Sequence, residues 1–530
     1  MLDLRHLRNA AQSEGGVSRR LFLSYSSALA AVPLLGTRVE GRVLRRVSFD
    51  RDPFTVGVAS GDPDANGVVL WTRLAPDPLT PDGGMSRDLI EVQWEVATDD
   101  AMQTIVQRGT TIATPQLAHS VHVEVDGLDS DRWYWYRFRV GEAESPIGRT
   151  RTMPELMDLP DQLRFAFASC QHYESGLYTA YEHMANDDLD LVFHLGDYIY
   201  EGAGRDGQVR KHEGPEIQSL ADYRIRHAQY KSDPMLKAMH QACPWVVTWD
   251  DHEFDNNCAA DISEEAGVDP VEFLFRRANA YQAYYEMMPL RRRSLPQGPH
   301  MQLFRTVTFG RLANFQVLDT RQYRSDQPNN DRPSPLNEAA LDRRNTLLGD
   351  HQYGWLQSSL LESGSIWNVL AQQVMMAMVG FPTDDGQIVH SMDQWPGYAH
   401  ERMALMRFLQ DRNVPNPVVL TGDIHSNWAN DLRVDDREDD TPIVASEFVC
   451  TSISSGGNGR ATIPNLEERL AMNPAVRFFN AQRGYVRCTV TPQSWQSDYQ
   501  VVEEVTKPGA PAVTKGSFVV EAGKPGIEQS

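Results

Sequence analysis

The sequence contains few cysteines, and none lies close enough to another to form a paired motif. The five are Cys170, Cys243, Cys258, Cys450 and Cys488, without a CxxC pair among them. Their odd number and wide spacing argue against a structural zinc site or a disulfide framework. One disulfide could form after export, but the sequence does not indicate which cysteines would pair. Because the number is odd, at least one cysteine would stay unpaired.

The sequence also lacks an excess of basic charge and any late apolar run. It has 50 Lys and Arg against 72 Asp and Glu, a formal net charge of -22. Such an acidic surface repels nucleic-acid phosphates, so we expect no nucleic-acid groove. No stretch beyond the N-terminal 40 residues is long and apolar enough to predict a stable membrane span.

The N-terminus is similar to a twin-arginine export signal. Arg19 and Arg20 directly precede an apolar run that ends at Leu35 and is too short to cross a bilayer. Residues 1–40 are therefore predicted to engage the twin-arginine export machinery. The protein would then be periplasmic, secreted or at the cell surface. The alternative is an N-terminal helix with a chance Arg-Arg pair.

Residues 48–150 show the alternation of half-buried β-strands. In WYWYRFRV, Tyr134, Tyr136, Phe138 and Val140 fall on one face. Period-2 alternation between turn signals is typical of a β-sandwich. We therefore predict an N-terminal β-sandwich domain over 48–150, with these aromatic side chains in its core.

From about residue 163, short apolar runs alternate with helical patterns, which predicts an α/β domain over 163–505 and a tail over 506–530. Several runs end in polar, chemically capable residues, and ligands in layered α/β proteins gather beyond strand ends. We expect these ends to converge on one site. The runs are Leu163–Ala168, Leu189–Leu195, Pro244–Trp249, Ile366–Ala371 and Pro417–Thr421.

Three carboxylates and an imidazole are expected in this site: Asp197, Asp251, Asp423 and His425. Without cations, carboxylates gathered in one pocket would repel each other strongly. Bound metal removes that conflict. Two neighbouring metals also stabilise the attacking and leaving oxygens of a displacement at phosphorus.

The motif series resembles the calcineurin-like metallophosphoesterases, and within them the PhoD-type alkaline phosphatases. The resemblance covers nearly the whole chain after the signal. It implies a four-layer metallophosphoesterase β-sandwich core flanked by helices, preceded by an all-β immunoglobulin- or fibronectin-like domain. The stretches that carry it are FASCQ at 167–171, HLGDYIYE at 194–201, WDDHEFDNN at 249–257, LDTRQYR at 318–324, LAQQVMM at 370–376 and LTGDIH at 420–425.

The resemblance implies Fe³⁺ together with Ca²⁺. Cys170 stands where the wider superfamily usually has an aspartate or histidine ligand. Tyr200 matches the GDxxY tyrosine that binds ferric iron in purple acid phosphatases. With Asp197 and His425 these residues would hold Fe³⁺, and their thiolate, phenolate and imidazole donors suit a transition metal.

Calcium ligands follow from the oxygen donors of the same series. Asp197 would bridge the two metals, and Asp251 and Asp423 would bind calcium. Either Asn256 or Asn257 is a further candidate. Either Gln373 or Gln372 stands where the superfamily usually has a histidine, so the resemblance implies that oxygen donors have replaced imidazoles.

Catalytic roles follow from the same resemblance. His252 is placed like the superfamily's proton donor to the leaving oxygen, next to Asp251. A metal-activated hydroxide would be the nucleophile. Arg321 and Arg324 are candidates for contacting substrate phosphate, although a structural ion pair is an equal alternative. His172, His183 and His194 are interpreted mostly as structural.

The predicted activity is hydrolysis of phosphomonoesters, phosphodiesters or both, for phosphate acquisition. An alternative within the same site is a phospholipase or phosphodiesterase acting on lipid headgroups or wall polymers. A second alternative is a non-catalytic metal-binding surface module, which has no need of a cysteine–tyrosine iron pair beside a proton donor. Substrate choice would depend on pocket walls and on a lid, for which the predicted helical stretch Leu466–Phe479 is a candidate.

Overall fold

The computed structural model describes residues 43–45 and 47–530. The export signal expected over residues 1–40 lies outside these described residues. Within the described part of the chain, no helix has the length and apolar character needed to cross a membrane.

The N-terminal region folds as β-strands arranged in two packed sheets. The six-stranded sheet contains β1, β4, β5, β7, β8 and β9, and the facing strands β2, β3 and β6 pair antiparallel. The strands are β1 (Val43–Leu44), β2 (Val58–Gly61), β3 (Gly67–Arg73), β4 (Leu89–Ala97), β5 (Ile105–Ala113), β6 (Ser120–Asp126), β7 (Trp133–Val140), β8 (Ala143–Glu144) and β9 (Gly148–Arg151).

The alternation expected in WYWYRFRV is confirmed. Tyr134, Tyr136, Phe138 and Val140 are buried, while the intervening residues of β7 are half-buried. The four side chains join an apolar cluster that also contains Val123 of the facing sheet. The two sheets therefore share one core, because each presents its apolar face to the other.

The remaining strands form the rest of the molecule's sheet structure. They are β10 (Leu163–Ala168), β11 (Leu191–Leu195), β12 (Trp245–Thr248), β13 (Arg305–Phe309), β14 (Ala313–Val317), β15 (Trp367–Ala371), β16 (Phe381–Pro382), β17 (Ile388–Val389), β18 (Pro417–Thr421), β19 (Asn427–Leu432), β20 (Ala445–Val449), β21 (Gly459–Arg460), β22 (Val476–Val490), β23 (Ser494–Val502), β24 (Ala512–Glu521) and β25 (Lys524–Gln529).

Two sheets form the α/β region, and the long strand β22 belongs to both. In the first sheet, β10, β11 and β12 run parallel, and β10 pairs antiparallel with β22. In the second, β14, β15, β18 and β20 run parallel, and β19 connects β20 to the N-terminal half of β22. The first sheet continues into the N-terminal region, because Trp245 of β12 pairs with Gly61 of β2.

Aromatic side chains fill the space between the two sheets. Phe165 and Phe193 of the first sheet contact Phe315 of the second, with ring centroids 5.5 and 4.6 Å apart. The outer faces of the sheets pack against further apolar clusters that include helical residues. The α-helices are α1 (Thr179–Met184), α2 (Leu220–Lys231), α3 (Pro234–Ala242), α4 (Pro270–Met287), α5 (Gly349–Glu362), α6 (Ala399–Asp411) and α7 (Leu466–Ala471).

Two local expectations differ from the structure. The stretch 466–479 is helical only in α7, and β22 begins at Val476. Residues 506–530 are not a simple tail, because β24 and β25 extend the first sheet beyond β23. Gly516, Phe518 and Val520 of β24 alternate as buried residues, so the strand pattern is present in the sequence but is confined to one end of the strand.

Candidate metal centre

The residues expected to converge do so at the carboxyl ends of neighbouring strands. Cys170 lies just after β10, Asp197 just after β11, Asp251 just after β12, and Asp423 and His425 just after β18. Because β10, β11 and β12 are adjacent and parallel, their carboxyl ends meet at one edge. The second sheet contributes the β18 residues from across the core.

Four of these residues adopt a left-handed backbone conformation. The φ angles are 58° at Cys170, 57° at Asp197, 63° at Asp423 and 54° at His425. Non-glycine residues rarely adopt positive φ, and such strained positions concentrate at functional sites. The chain turns sharply after each strand here, which aims the side chain across the strand ends.

The first cluster, here called the inner donor group, consists of Cys170, Asp197, Tyr200 and His425. Potential ligand atoms of Cys170, Asp197 and His425 lie within 4.8 Å of one another. The Tyr200 hydroxyl donates to Asp197 Oδ2 at 2.9 Å and lies 3.2 Å from His425 Nε2. A thiol, a carboxyl, a phenol and an imidazole therefore share one small volume.

The second cluster, here called the outer donor group, consists of Asp197, Asp251 and Asp423. Potential ligand atoms of Asp197, Asp251 and His252 lie within 4.8 Å of one another. Asp423 borders the same space, because Arg321 Nη2 lies 3.3 Å from Asp251 Oδ2 and 3.8 Å from Asp423 Oδ1. Asp197 thus contributes to both donor groups.

One carboxylate oxygen of the donor groups lacks a partner. Asp197 Oδ1 is buried and has no hydrogen-bond partner among the described residues. Such an orphaned carboxylate oxygen is costly unless a cation binds it. The residues present therefore fit a metal centre, with donors on both sides of Asp197.

Burial controls the ionisation of the inner donor group. It raises the pKa of Asp197 well above its ordinary value, and nearby carboxylates add to the rise. Burial, followed by the Asp197 charge, likewise raises the pKa of Cys170 and of Tyr200. A bound cation acts in the opposite direction, because it favours the thiolate and phenolate forms.

His252 lies next to the donor groups in surroundings that favour its protonated form. Burial by itself would lower its pKa, but Glu201, Asp197 and Asp251 raise it well above the ordinary value. Its Nδ1 lies 2.7 Å from Glu201 Oε2, which fixes the ring. The side chain is 21% exposed, so it reaches the open side of the site.

Arg321 and Arg324 do not face open space. Both guanidinium groups are fully buried, and both contact the Asp393 carboxylate, at 2.7 and 2.6 Å. Arg321 also pairs with Asp250 and lies near Asp251. These contacts support the ion-pair alternative for the two arginines over contact with substrate phosphate.

The two asparagines differ in their surroundings. The Asn256 amide donates to the exposed Glu264 at 2.7 Å. The backbone N–H of Asn257 donates to Asp251 Oδ2 at 2.8 Å, and its amide donates to Asp331. Asn257 is therefore the one that borders the outer donor group.

Gln372 and Gln373 are both used in hydrogen bonds that support the strand ends. Gln373 Oε1 accepts from Thr320, and its amide donates to Thr248 and to the Leu318 carbonyl. The Gln372 amide donates to Thr421 at 2.6 Å. These contacts leave the glutamines outside the two donor groups.

Sequence reasoning missed several acidic residues that organise the site. Glu253 accepts hydrogen bonds from the backbone N–H groups of Asp197, Tyr198 and Asp250, so it fixes the loop after β11. Glu201 lies within the HLGDYIYE stretch and Glu253 within WDDHEFDNN, so the motifs contained both. Asp393 has no such signal, because it lies in a loop far along the chain.

Comparison with known proteins places the whole chain in one family. The model of the PhoD-like phosphatase matches residues 165–499, and that of its N-terminal domain matches residues 41–154. Alkaline phosphatase D of Bacillus subtilis (strain 168) is 49% identical over 535 aligned positions, covering 99% of this chain and 91% of that protein.

A solved structure supports the same assignment. The structure of PhoD superposes with a TM-score of 0.88 at 52% identity, covering 91% of this chain and 93% of that chain. The shared fold is a sheet-rich α/β structure, as the motif series implied. Together with the clusters at the strand ends that could hold a metal, these similarities identify a phosphoric ester hydrolase. The chain belongs to the PhoD-like phosphatase family.

Proposed function

We propose that the inner donor group holds Fe³⁺. The observation that carries this assignment is the convergence of Cys170, Asp197 and His425 within 4.8 Å, with the Tyr200 hydroxyl hydrogen-bonded to Asp197. Thiolate and phenolate donors bind ferric iron in preference to calcium or magnesium. Their burial excludes water, which strengthens a charge-dependent bond.

The outer donor group would hold Ca²⁺, with Asp197 as the bridge. Asp251 and Asp423 supply carboxylate oxygens, and Asn257 lies beside Asp251. Carboxylate-rich sites suit calcium because it takes six to eight oxygen ligands in flexible geometry. When bound, the two metals would supply Lewis-acid activation of water and stabilisation of charge on the phosphoryl oxygens.

His252 would deliver the proton that the leaving oxygen needs. Its cationic form is stabilised by Glu201, which accepts from Nδ1 and leaves the other ring nitrogen for the substrate side. Because Glu201 orients the ring without facing the substrate itself, we assign it a positioning role. His252 is then the acid for a leaving alkoxide, and Glu201 holds it in place.

The substrate would be a phosphomonoester, a phosphodiester or both, hydrolysed outside the cytoplasm for phosphate acquisition. Export would proceed through the twin-arginine machinery, as Arg19 and Arg20 suggest.

We also propose that the two sheets and the helices on their outer faces form a four-layer core, preceded by an immunoglobulin-like sandwich. The shared apolar cluster between the two sheets supports this layering.

Elemental analysis of the purified protein, combined with two assays, tests the metal assignment. We expect iron and calcium, together with a visible charge-transfer band from the thiolate and phenolate. Removing calcium with a selective chelator should abolish hydrolysis of both a phosphomonoester and a phosphodiester while the band remains. A colourless protein without iron would contradict the inner-site assignment.

A further inference from the structure

A cluster of His172, Glu174 and His212 lies next to the catalytic centre without sharing a residue with it. One potential ligand atom from each of the three lies within 4.8 Å of the other two. The His172 ring contacts the Tyr200 ring edge-on, with centroids 4.6 Å apart. This His–Glu–His cluster is therefore adjacent to the inner donor group but separate from it.

Each imidazole of the cluster has one ring nitrogen engaged by a hydroxyl group. His172 Nδ1 lies 2.8 Å from Ser175 Oγ, and His212 Nε2 lies 2.9 Å from Tyr230 Oη. In metal sites the second ring nitrogen of a ligating histidine is usually held by a hydrogen bond, which fixes the tautomer. His172 Nε2 has no hydrogen-bond partner among the described residues, whereas His212 Nδ1 donates to the Gly202 carbonyl at 3.2 Å. These two nitrogens are the candidate ligand atoms.

The Glu174 carboxylate divides its two oxygens in the same way. Oε1 accepts from the backbone N–H groups of Arg205 at 2.7 Å and His212 at 3.0 Å. Oε2 accepts no hydrogen bond from the described residues and lies 3.9 Å from His212 Nδ1. Glu174 is 1% exposed, so this oxygen has little access to bulk water.

We infer that the His–Glu–His cluster is a second metal site, for Zn²⁺ or a similar divalent transition metal. The ligands would be His172 Nε2, His212 Nδ1 and Glu174 Oε2. Two imidazoles and one carboxylate match the donor preference of Zn²⁺, with water or a backbone carbonyl in a fourth position. Gly202 O, which accepts from His212 Nδ1 at 3.2 Å, is one such carbonyl. Metal binding would move that ring proton to Nε2, which faces Tyr230 Oη.

The charge state of His212 agrees with this site. Burial, with Arg226 nearby, lowers its pKa to about 2, so the ring is neutral and can offer a lone pair. Arg226 also opposes a cation, and the Glu174 carboxylate offsets that charge. A doubly charged ion would link the segment after β10 to the loop between β11 and α2.

The site would act as a cross-link between two segments of the active centre. His172 and Glu174 follow Cys170 in the chain, and His212 follows Tyr200 in the next loop. A metal at the cluster would therefore fix the segments that carry two members of the inner donor group. We expect it to raise thermal stability and to leave the catalytic metals in place.

Glu174→Gln is the most informative variant, because glutamine retains an oxygen for the two backbone N–H groups and removes the charge. His172→Ala removes a second ligand from a half-buried position. His183→Gln is the control, since the His183 ring hydrogen-bonds the Ala510 carbonyl at 2.8 Å and does not belong to the cluster. Full-length protein, as purified, is equilibrated with Zn²⁺ and passed through a desalting column.

Elemental analysis then measures zinc, iron and calcium in each protein. Wild type and His183→Gln should retain one more zinc per chain than Glu174→Gln and His172→Ala, with iron unchanged in all four. Zinc affinity should fall at least about 10-fold in the two variants, since even outer-shell partners matter by that factor. Zinc should raise the Tm of wild type and of the control only.

Equal zinc in all four proteins, or none in wild type, would overturn the inference. Zinc that replaces iron is recognised by a loss of the iron signal, and it counts against the site unless a further zinc equivalent is present. Hydrolytic activity is not the readout here. The zinc result and the test of the proposed phosphatase metals therefore fail or succeed separately.

Discussion

At the scale of single residues, the His252–Glu201 pair makes a specific kinetic prediction. His252→Ala should slow hydrolysis of an ester with a poor alkyl leaving group by about 10²–10⁴-fold, the usual contribution of a general acid. An ester with a nitrophenolate leaving group should be slowed much less, because that group departs without a proton. Rates on both substrates, with metal content, are the measurement.

Equal losses on the two substrates would argue against the acid role. Loss of metal in His252→Ala would instead make His252 a ligand, which its closeness to Asp197 and Asp251 allows. Glu201→Gln is the matched variant. It keeps an acceptor for His252 Nδ1, so it should show the same leaving-group dependence in weaker form.

Substitution of Arg321 distinguishes a structural role for this residue from a role in binding substrate phosphate. Its guanidinium pairs with Asp250 and Asp393 in the buried interior. Arg321→Met should leave these carboxylates without a counter-charge and lower the free energy of unfolding by about 3–5 kcal/mol. Chemical denaturation measures this change.

A phosphate-binding role for Arg321 makes a different prediction. The variant would keep wild-type stability and show a higher KM with unchanged metal content. Arg344→Met is a control, because the Arg344 side chain is 86% exposed and forms its salt bridge with Asp342 at the surface. Surface pairs contribute about 0–1 kcal/mol, so its stability should change little.

At the scale of the elements, the turn after β11 depends on Gly196. Its φ is +109°, and a Cβ there would lie 2.4 Å from Asp250 Cβ and 2.6 Å from Asp250 N. The close approach brings the ends of β11 and β12 together, which places Asp197 beside Asp251. Only glycine accommodates both this φ and this approach without strain.

Gly196→Ala should therefore disrupt the metal centre. The backbone has to move apart, and because Asp197 contributes to both donor groups, we expect loss of bound metal together with loss of activity. Metal analysis and activity assays measure this effect. Gly202→Ala is the control, because a Cβ at Gly202 meets nothing within 4 Å.

The convergence of strand ends was predictable from the sequence, whereas the contacts that organise it were not. Apolar runs that end in Cys170, Asp197, Asp251 and Asp423 indicated one shared edge, because parallel strands align their carboxyl ends. The pairing of Arg321 with Asp393 depends on a loop whose path no local pattern determines. The backbone groups fixed by Glu253 likewise become visible only in three dimensions.

At the scale of the whole molecule, the export prediction concerns residues outside the described structure. Replacing Arg19 and Arg20 by lysines should retain the protein in the cytoplasm, since the paired arginines precede the apolar run directly. Cell fractionation with immunodetection measures the distribution. Normal export of the double variant would contradict a twin-arginine route, and Arg5→Lys with Arg8→Lys is a matched control.

The strand β22 has a consequence for the time course of biosynthesis. Phe165 of β10 pairs with Cys488 of β22, so this edge of the first sheet stays open until the ribosome has passed β22. At about 5–20 residues per second, the wait is roughly 15–65 s. An unpaired apolar edge attracts other chains during that interval, which favours protection by a chaperone. Because Cys170 directly follows β10, the nascent chain would offer no finished pocket to the proposed metal, and loading would follow translation.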